Sequence, residues 1–273
     1  MISDLKGKTV VVTGGGSGIG QGLVRAFVEV GANVVVADIE EDAAQTVAKE
    51  AESEGVQALA VRTDVSDYQS VQELADRSFE RFGAVHVVCN NAGVFIMGPL
   101  LDMIVEDWTW IFSVNVMGVI HGIHAFLPHM REQGEGHFVN TSSVAGLGGG
   151  GGGVYGASKA TVLNISESLH GELVPLGMGC SVLMPANINS RILGAQRNRP
   201  AEFGREAPEP LGRDVTNFGI DAIHVGRSAR KAVQEGTLYV PVYPEGWQDH
   251  LKPGVEKRCQ ELLASLDTGG ITE

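Results

Sequence analysis

Tyr155 and Lys159 stand four residues apart in the stretch YGASK (155–159). On a helix, residues at that spacing face the same side. A phenol at its reference pKa of about 10 is a poor base near neutral pH. A cation beside it favours the phenolate and lowers that value. The pair is therefore a candidate general acid/base, suited to moving one proton at a substrate oxygen. Bringing the phenol down to about 7 asks for roughly 4 kcal/mol of differential stabilisation. Six consecutive glycines, Gly148 to Gly153, end just before this tyrosine. Glycine costs more conformational entropy to order than any other residue, so such a run beside a reactive residue calls for a reason.

A second motif, TGGGSGIG (13–20), follows a β-branched run and opens a helical pattern. Glycines there allow a tight turn and a close approach of backbone N–H groups to a pyrophosphate, which rests on the helix N-terminus. Gly14, Gly18 and Gly20 set the spacing, with one more residue in the first gap than in the common GxGxxG form. Asp38 ends the next β-branched run, 18 residues after Gly20. A carboxylate there accepts both ribose hydroxyls of NAD and repels the 2′-phosphate of NADP. Glu40, Glu41 and Asp42 are also acidic, and position 17 is Ser. No neighbouring cation stands ready for a 2′-phosphate, so the expected cofactor is NAD. Hydride transfer between a carbinol carbon and nicotinamide leaves a proton at the oxygen, the task for which Tyr155 and Lys159 are suited. Oxidised nicotinamide would add a second positive charge favouring the phenolate.

The elements that must position these groups follow a regular rhythm. Strand patterns fall at 9–14, 33–38, 58–65, 85–90, 137–143, 180–186 and 237–243. Most are apolar throughout, as in parallel strands covered on both faces. Helical patterns lie near 18–30, 41–54, 67–82, 106–132, 155–175 and 220–235, with a terminal helix at 247–266. The alternation predicts an α/β doubly wound Rossmann fold, with a seven-stranded, mostly parallel sheet and helices on both faces. The whole chain, 1–273, reads as one domain. Residues 188–218 break the rhythm after the sixth strand, at the sheet edge where such folds bind ligands, and are expected to form a substrate lid.

Composition narrows the partners. The net charge is −13, which disfavours nucleic acid. Three scattered cysteines, Cys89, Cys180 and Cys259, form no framework and suit a reducing, cytoplasmic setting. No secretion signal and no membrane span are expected. His121, His124 and His129 sit at helix-like spacing, but no acidic residue or cysteine joins them at ligand spacing, so no metal site is expected. Trp108 and Trp110 read as packing or subunit contacts.

TGGGSGIG, Asp64-Val65, NNAG (90–93), Asn115 in SVNVMG, NTSS (140–143) and YGASK occur together over residues 5–190. In that order and spacing the chain resembles the short-chain dehydrogenase/reductase family, of the single-domain type. The resemblance implies that Gly14, Ser17, Gly18 and Ile19 hold the pyrophosphate. It implies that Asp64 and Val65 flank the adenine, and that Asn90 and Ala92 line the far side of the cofactor. Ile188 would contact the nicotinamide carboxamide. Pro185 is followed by Ala186, where the family usually has glycine, which puts the local backbone path in question. Asn115 would hold a water relaying protons to Lys159, and a serine would bond the substrate oxygen. The register of the strand favours Ser143; counting back from Tyr155 favours Ser142. The family also implies a homodimer or homotetramer.

Two shorter stretches, PANINSRI (185–192) and LYVPVYPEGW (238–247), resemble a subgroup that oxidises benzylic alcohols of lignin-type aryl ethers. The glycine run would leave one pocket wall open for a bulky alcohol or ketone. The leading expectation is an NAD-dependent alcohol dehydrogenase/ketone reductase. The alternatives are a non-catalytic NAD sensor or scaffold, and another reaction on the same scaffold, such as dehalogenation or epimerisation.

Overall fold

The computed structural model describes residues 2–96, 98–148, 152–204 and 219–268. Strand β1 (Thr9–Thr13) is buried along its whole length. Its side chains alternate between layers: Val10 and Val12 pack with Leu23, Phe27, Val225 and Val233 on one face. Val11 packs with Leu74, Phe126, Met130 and Phe138 on the other. This is why the strand reads apolar at every position, since both faces are covered.

The remaining strands are β2 (Asn33–Asp38), β3 (Ala58–Arg62), β4 (Val87–Asn90), β5 (His137–Thr141), β6 (Gly179–Pro185) and β7 (Tyr239–Val242). They form one seven-stranded sheet in the order β3-β2-β1-β4-β5-β6-β7. Every pairing is parallel, with Val11 opposite Val35 on one side and Val88 on the other. The chain winds outward from β1 to β3, then returns to place β4 beside β1. The strand order reverses there, and the carboxyl ends of β1 and β4 diverge into a crevice.

Helices α1 (Gly18–Val28), α2 (Glu41–Ser53), α3 (Tyr68–Phe82), α4 (Val105–Phe112), α5 (Gly118–Gln133), α6 (Gly153–Leu173), α7 (Ala222–Glu235) and α8 (Gln248–Thr268) complete the described elements. The single helix expected over 106–132 is divided. Residues Ser113–Met117 form a π-helical turn between α4 and α5. Such turns inside longer helices recur at functional sites, and this one carries Asn115. By length and composition alone, Val105–Gln133 is apolar enough to cross a membrane, but 56% of its most apolar window is buried inside the fold.

After β6 the chain runs through short 3₁₀ turns at Ile192–Asn198 and Ala201–Phe203. This is the first half of the expected lid; the rest, 205–218, lies outside the described residues. Gly149 to Gly151, the middle of the glycine run, also lie outside them.

Candidate active site

The cradle forms where β1 meets α1. Gly14 has φ +64°, a left-handed conformation that favours glycine. A Cβ on Gly20 would lie 1.9 Å from the Gly14 carbonyl oxygen, so only glycine lets the helix start this close to the strand. Ser17 precedes the helix and its hydroxyl makes no capping bond. The first N–H groups of α1 have no partner within the helix, which is the donor set a pyrophosphate needs. Asp38 is tied to this turn: its Oδ2 accepts from Gly16 N at 2.9 Å and its Oδ1 from Glu40 N at 3.0 Å.

One cleft joins the cradle to the far end of the site. Its wall includes Gly14, Ser17, Gly18 and Ile19, then Asp38, then Asp64 and Val65, and ends at Tyr155, Lys159 and Pro185. Asp64 is braced by Ser66, whose N and Oγ both donate to its Oδ1 at 2.9 and 2.7 Å. These residues fit a dinucleotide: amide donors for phosphates at one point, a carboxylate for a ribose, and apolar walls between.

Two expected positions, Asn90 and Ile188, have their side chains off the cleft wall. The Asn90 side chain is buried inside the sheet and donates to Asn140 Oδ1, across the β4–β5 pairing, at 2.9 Å. Asn91 takes the cleft wall beside Ala92, held by a bond to the Thr13 carbonyl at 3.0 Å. Ile188 packs its side chain on the core and bridges Ile220. Asn187, with φ +49°, turns the chain there, and the cleft lining resumes at Ser190.

Tyr155 and Lys159 sit on the first turns of α6, as their spacing predicts. The Lys159 ammonium lies 5.7 Å from the centre of the Tyr155 ring and donates to the Thr141 carbonyl at 2.8 Å. Ser142 turns its hydroxyl onto the Lys159 carbonyl at 2.6 Å. The Ser143 hydroxyl instead donates to the Pro185 carbonyl at 3.3 Å and accepts from Ala145 N at 3.2 Å, close enough to the Tyr155 phenol to favour its ionised form. The two serines thus differ: Ser142 lines the cleft and is bonded to the main chain of α6, whereas Ser143 is bonded to the end of β6 and lies beside the phenol.

Burial pushes Tyr155 up to about 12, with the nearby Ser143 hydroxyl opposing. Burial also pulls the Lys159 ammonium down to about 8. Lys159 by itself does not draw the phenol toward neutrality, in keeping with the expectation that a second cation, the oxidised nicotinamide, is needed beside it. Desolvation of the phenolate outweighs a cation that is itself spent on a carbonyl.

Asn115 is fully buried in the π turn. Its Oδ1 accepts from Val94 N at 2.8 Å, and its Nδ2 donates to Val94 O and Ser158 Oγ, each at 3.0 Å. A Cβ on Gly93 would lie 3.2 Å from Asn115 Oδ1 and 3.4 Å from Lys159 Nζ, so both groups border the space over this glycine.

Trp110 lines the cleft rather than serving only as packing. The Arg199 guanidinium stands 5.1 Å from its ring centre and pairs with Asp107 at 2.7 Å, with both charged side chains almost wholly buried. The spacing of 92 residues between Arg199 and Asp107 left no local signal for this pair. The glycine run has a counterpart too. A Cβ on Gly148 would lie 2.0 Å from Arg258 Nη1, and Arg258, on α8, donates to the Leu147 carbonyl at 2.8 Å. Gly148 is therefore a seat for α8, not an open wall. The histidines have packing partners: His121 Nδ1 bonds the Val65 carbonyl at 2.9 Å, and His129 stacks on Phe79. No group of three or more potential metal-ligating residues occurs among the described residues.

The sequence model of the short chain dehydrogenases matches residues 8–201. The chain belongs to the short-chain dehydrogenase/reductase family. It is 34% identical over 274 residues to a C alpha-dehydrogenase of Sphingobium sp. (strain NBRC 103272 / SYK-6), covering 97% of this chain and 88% of that one. It is 34% identical over 203 residues to 3beta-hydroxysteroid dehydrogenase 2 of Eggerthella lenta, covering 73% and 78%. A family member from Burkholderia phymatum, solved in complex with NAD, superposes with a TM-score of 0.88 at 36% identity, over 96% of both chains. The protein is an oxidoreductase of this family with its Rossmann fold.

Proposed function

We propose that the protein uses NAD(H) to interconvert a secondary alcohol and a ketone of bulky, aryl type. One observation carries the reading: a single cleft leads from the glycine cradle and Asp38 to a half-buried Tyr155 with the buried Lys159 ammonium beside it. The NAD-bound relative supports the choice of cofactor, and Asp38 at the end of β2 supports NAD over NADP. Gly14, Ser17, Gly18 and Ile19 would hold the pyrophosphate and Asp38 a ribose. Asp64, Val65, Ala92, Pro185 and the Ile188 main chain would border the rest. When bound there, the nicotinamide supplies or accepts the hydride.

The chain's own residues manage the proton. In the reducing direction Tyr155 donates from its phenol to the forming alkoxide. A phenol pushed up to about 12 by burial is fully protonated at neutral pH, which suits that role. In the oxidising direction it must act as phenolate. Lowering it to about 8 asks for roughly 5–6 kcal/mol, from Lys159 together with the positive charge brought by the oxidised cofactor. Ser143 holds the substrate oxygen against the phenol. Asn115 and Lys159, both bordering the space over Gly93, form the exit route for the proton by way of water.

Val94, Trp110, Val114 and Ile192 give the cleft an apolar wall near Tyr155, which suits an aromatic substrate. The resemblance of 185–192 and 238–247 to aryl-ether alcohol oxidisers points the same way, as does the Sphingobium relative's designation as a C alpha-dehydrogenase. Absorbance at 340 nm with NADH or NADPH, against ketones from small cyclic to bulky aryl, tests the reading. Turnover with NADH on aryl ketones is the expected result. Turnover confined to small ketones would retire the substrate class, and none with either cofactor would contradict the activity. Self-association through α4, α5 and α6 is proposed on the family resemblance; Val105 and Met117 leave apolar surface there, and light scattering reads the mass.

A further inference from the structure

Glu40 lies two residues beyond Asp38, at the start of α2. Its carboxylate gathers three side chains from the segment after β6. Arg197 donates to Oε1 through Nε at 2.8 Å and Nη2 at 2.6 Å. Asn198 Nδ2 reaches the same oxygen at 3.1 Å, and Arg191 Nη1 reaches Oε2 at 3.2 Å. Partial burial pushes the Glu40 carboxyl up, but Asn198, Arg197 and Arg191 together hold it below the usual carboxylate range.

The same segment is fixed at the opposite rim by the buried Arg199–Asp107 pair. Residues 190–200 thus cross the cleft as a strap tied at both sides. Arg191, Arg197 and Asn198 share the cleft wall with Asp38, and Asp38 is hydrogen-bonded to the Glu40 main chain. Reading along the chain finds only acids near Asp38. The fold brings two guanidinium groups there from more than 150 residues away. A guanidinium is the group best matched to a phosphate, yet here both are engaged by Glu40.

We propose that Glu40 is a second determinant of cofactor selectivity: by holding Arg191 and Arg197 it withholds them from a 2′-phosphate and clasps the 190–200 strap over the ribose end of the cleft. This rests on the reading of the cleft as a dinucleotide site. Asp38 acts on the phosphate directly, by repulsion. Glu40 acts by occupying the cations that would otherwise attract it. Around the ribose end, Asp38 and Glu40 balance Arg191 and Arg197. Without Glu40, Arg191 is released, and Arg197, still anchored through Nη1 on the Arg191 and Gly194 carbonyls at 3.2 and 2.9 Å, has its Nε and Nη2 freed beside the 2′ position.

Fluorescence titration of the full chain with NADH and with NADPH tests this without relying on turnover. Three proteins are compared: wild type, Glu40→Ala, and Glu40→Ala combined with Arg191→Ala and Arg197→Ala. The expected result is a gain in NADPH affinity of at least ~10-fold in Glu40→Ala, with NADH affinity changed less than ~3-fold. The triple variant should lose that gain. Unchanged NADPH affinity in Glu40→Ala, with its folding verified by circular dichroism, would overturn the proposal. A gain that survives in the triple variant would overturn it too, since loss of one negative charge would then suffice. Failure of the wild type to bind NADH would instead overturn the dinucleotide reading itself.

Discussion

At the catalytic end of the cleft, Lys159 and Ser142 are held by main-chain carbonyls of the frame, and Asn115 by the Val94 main chain and Ser158. All three are buried. At the ribose end, Glu40 is held by side chains alone, contributed by a distant segment, and the ion pairs there are partly open to water. Buried groups bonded to main chain keep one geometry, because any departure leaves a polar atom unsatisfied in a low dielectric. Ion pairs at partly exposed positions contribute little stability and rearrange easily. One end of the cleft is therefore suited to fixing the reacting atoms, and the other to opening for a cofactor and closing over it.

The contrast can be broken experimentally. Lys159→Met should remove the ammonium beside the phenol and lower turnover by about 10²–10³-fold, measured at 340 nm under saturating NADH. An effect below tenfold would mean that the catalytic end does not depend on its buried cation. Arg199→Met leaves Asp107 buried without its partner. Breaking such a pair costs about 3–5 kcal/mol, or a fall in Tm of roughly 10 °C, by calorimetry. The equivalent loss of the exposed pair, Arg191→Ala, should move Tm by less than about 2 °C.

Ser143→Ala should reduce turnover by about 10–100-fold, since its hydroxyl lies beside the phenol. Ser142→Ala should instead destabilise by about 1–2 kcal/mol through the unsatisfied Lys159 carbonyl while leaving turnover within about 3-fold. Equal kinetic effects would erase the distinction between the two serines.

A further expected effect is on pH. His137 is buried, bonded to Ser181 through Nε2, and burial pulls it down to about 3. Between that value and its ordinary 6.5, the unfolded chain binds a proton that the folded chain does not. Its contribution to stability is therefore full above pH 6.5 and is lost as pH falls toward 3, at up to about 1.4 kcal/mol per unit. His137→Gln should flatten Tm against pH over 6.5 to 4. An unchanged slope would place the acid sensitivity elsewhere.

The comparison also explains what was legible in the sequence. Tyr155 with Lys159, and the TGGGSGIG cradle, are local patterns whose geometry follows from one helix or one strand-to-helix turn. The sheet was legible for the same reason, from valine runs covered on both faces. Ser142 and Ser143 stayed open because neighbouring residues at a strand end diverge in direction, and spacing alone does not say which faces the cleft. Asn90 was misplaced by the same one-residue alternation. The π turn at Ser113–Met117 was hidden because the apolar pattern continues across it. Arg191 and Arg197 at Glu40, Arg199 at Asp107 and Arg258 at Gly148 are contacts between distant parts of the chain, made by residues that look like ordinary surface charges in sequence.

The most direct test of the account is Tyr155→Phe. Single-turnover absorbance at 340 nm with an aryl ketone would be measured beside the NADH dissociation constant of the same preparation. The account predicts a loss of hydride transfer of about 10³-fold or more with NADH binding within about 3-fold of wild type. Near-normal turnover in that variant would contradict it, because Tyr155 is the one phenol among the described residues that line the cleft.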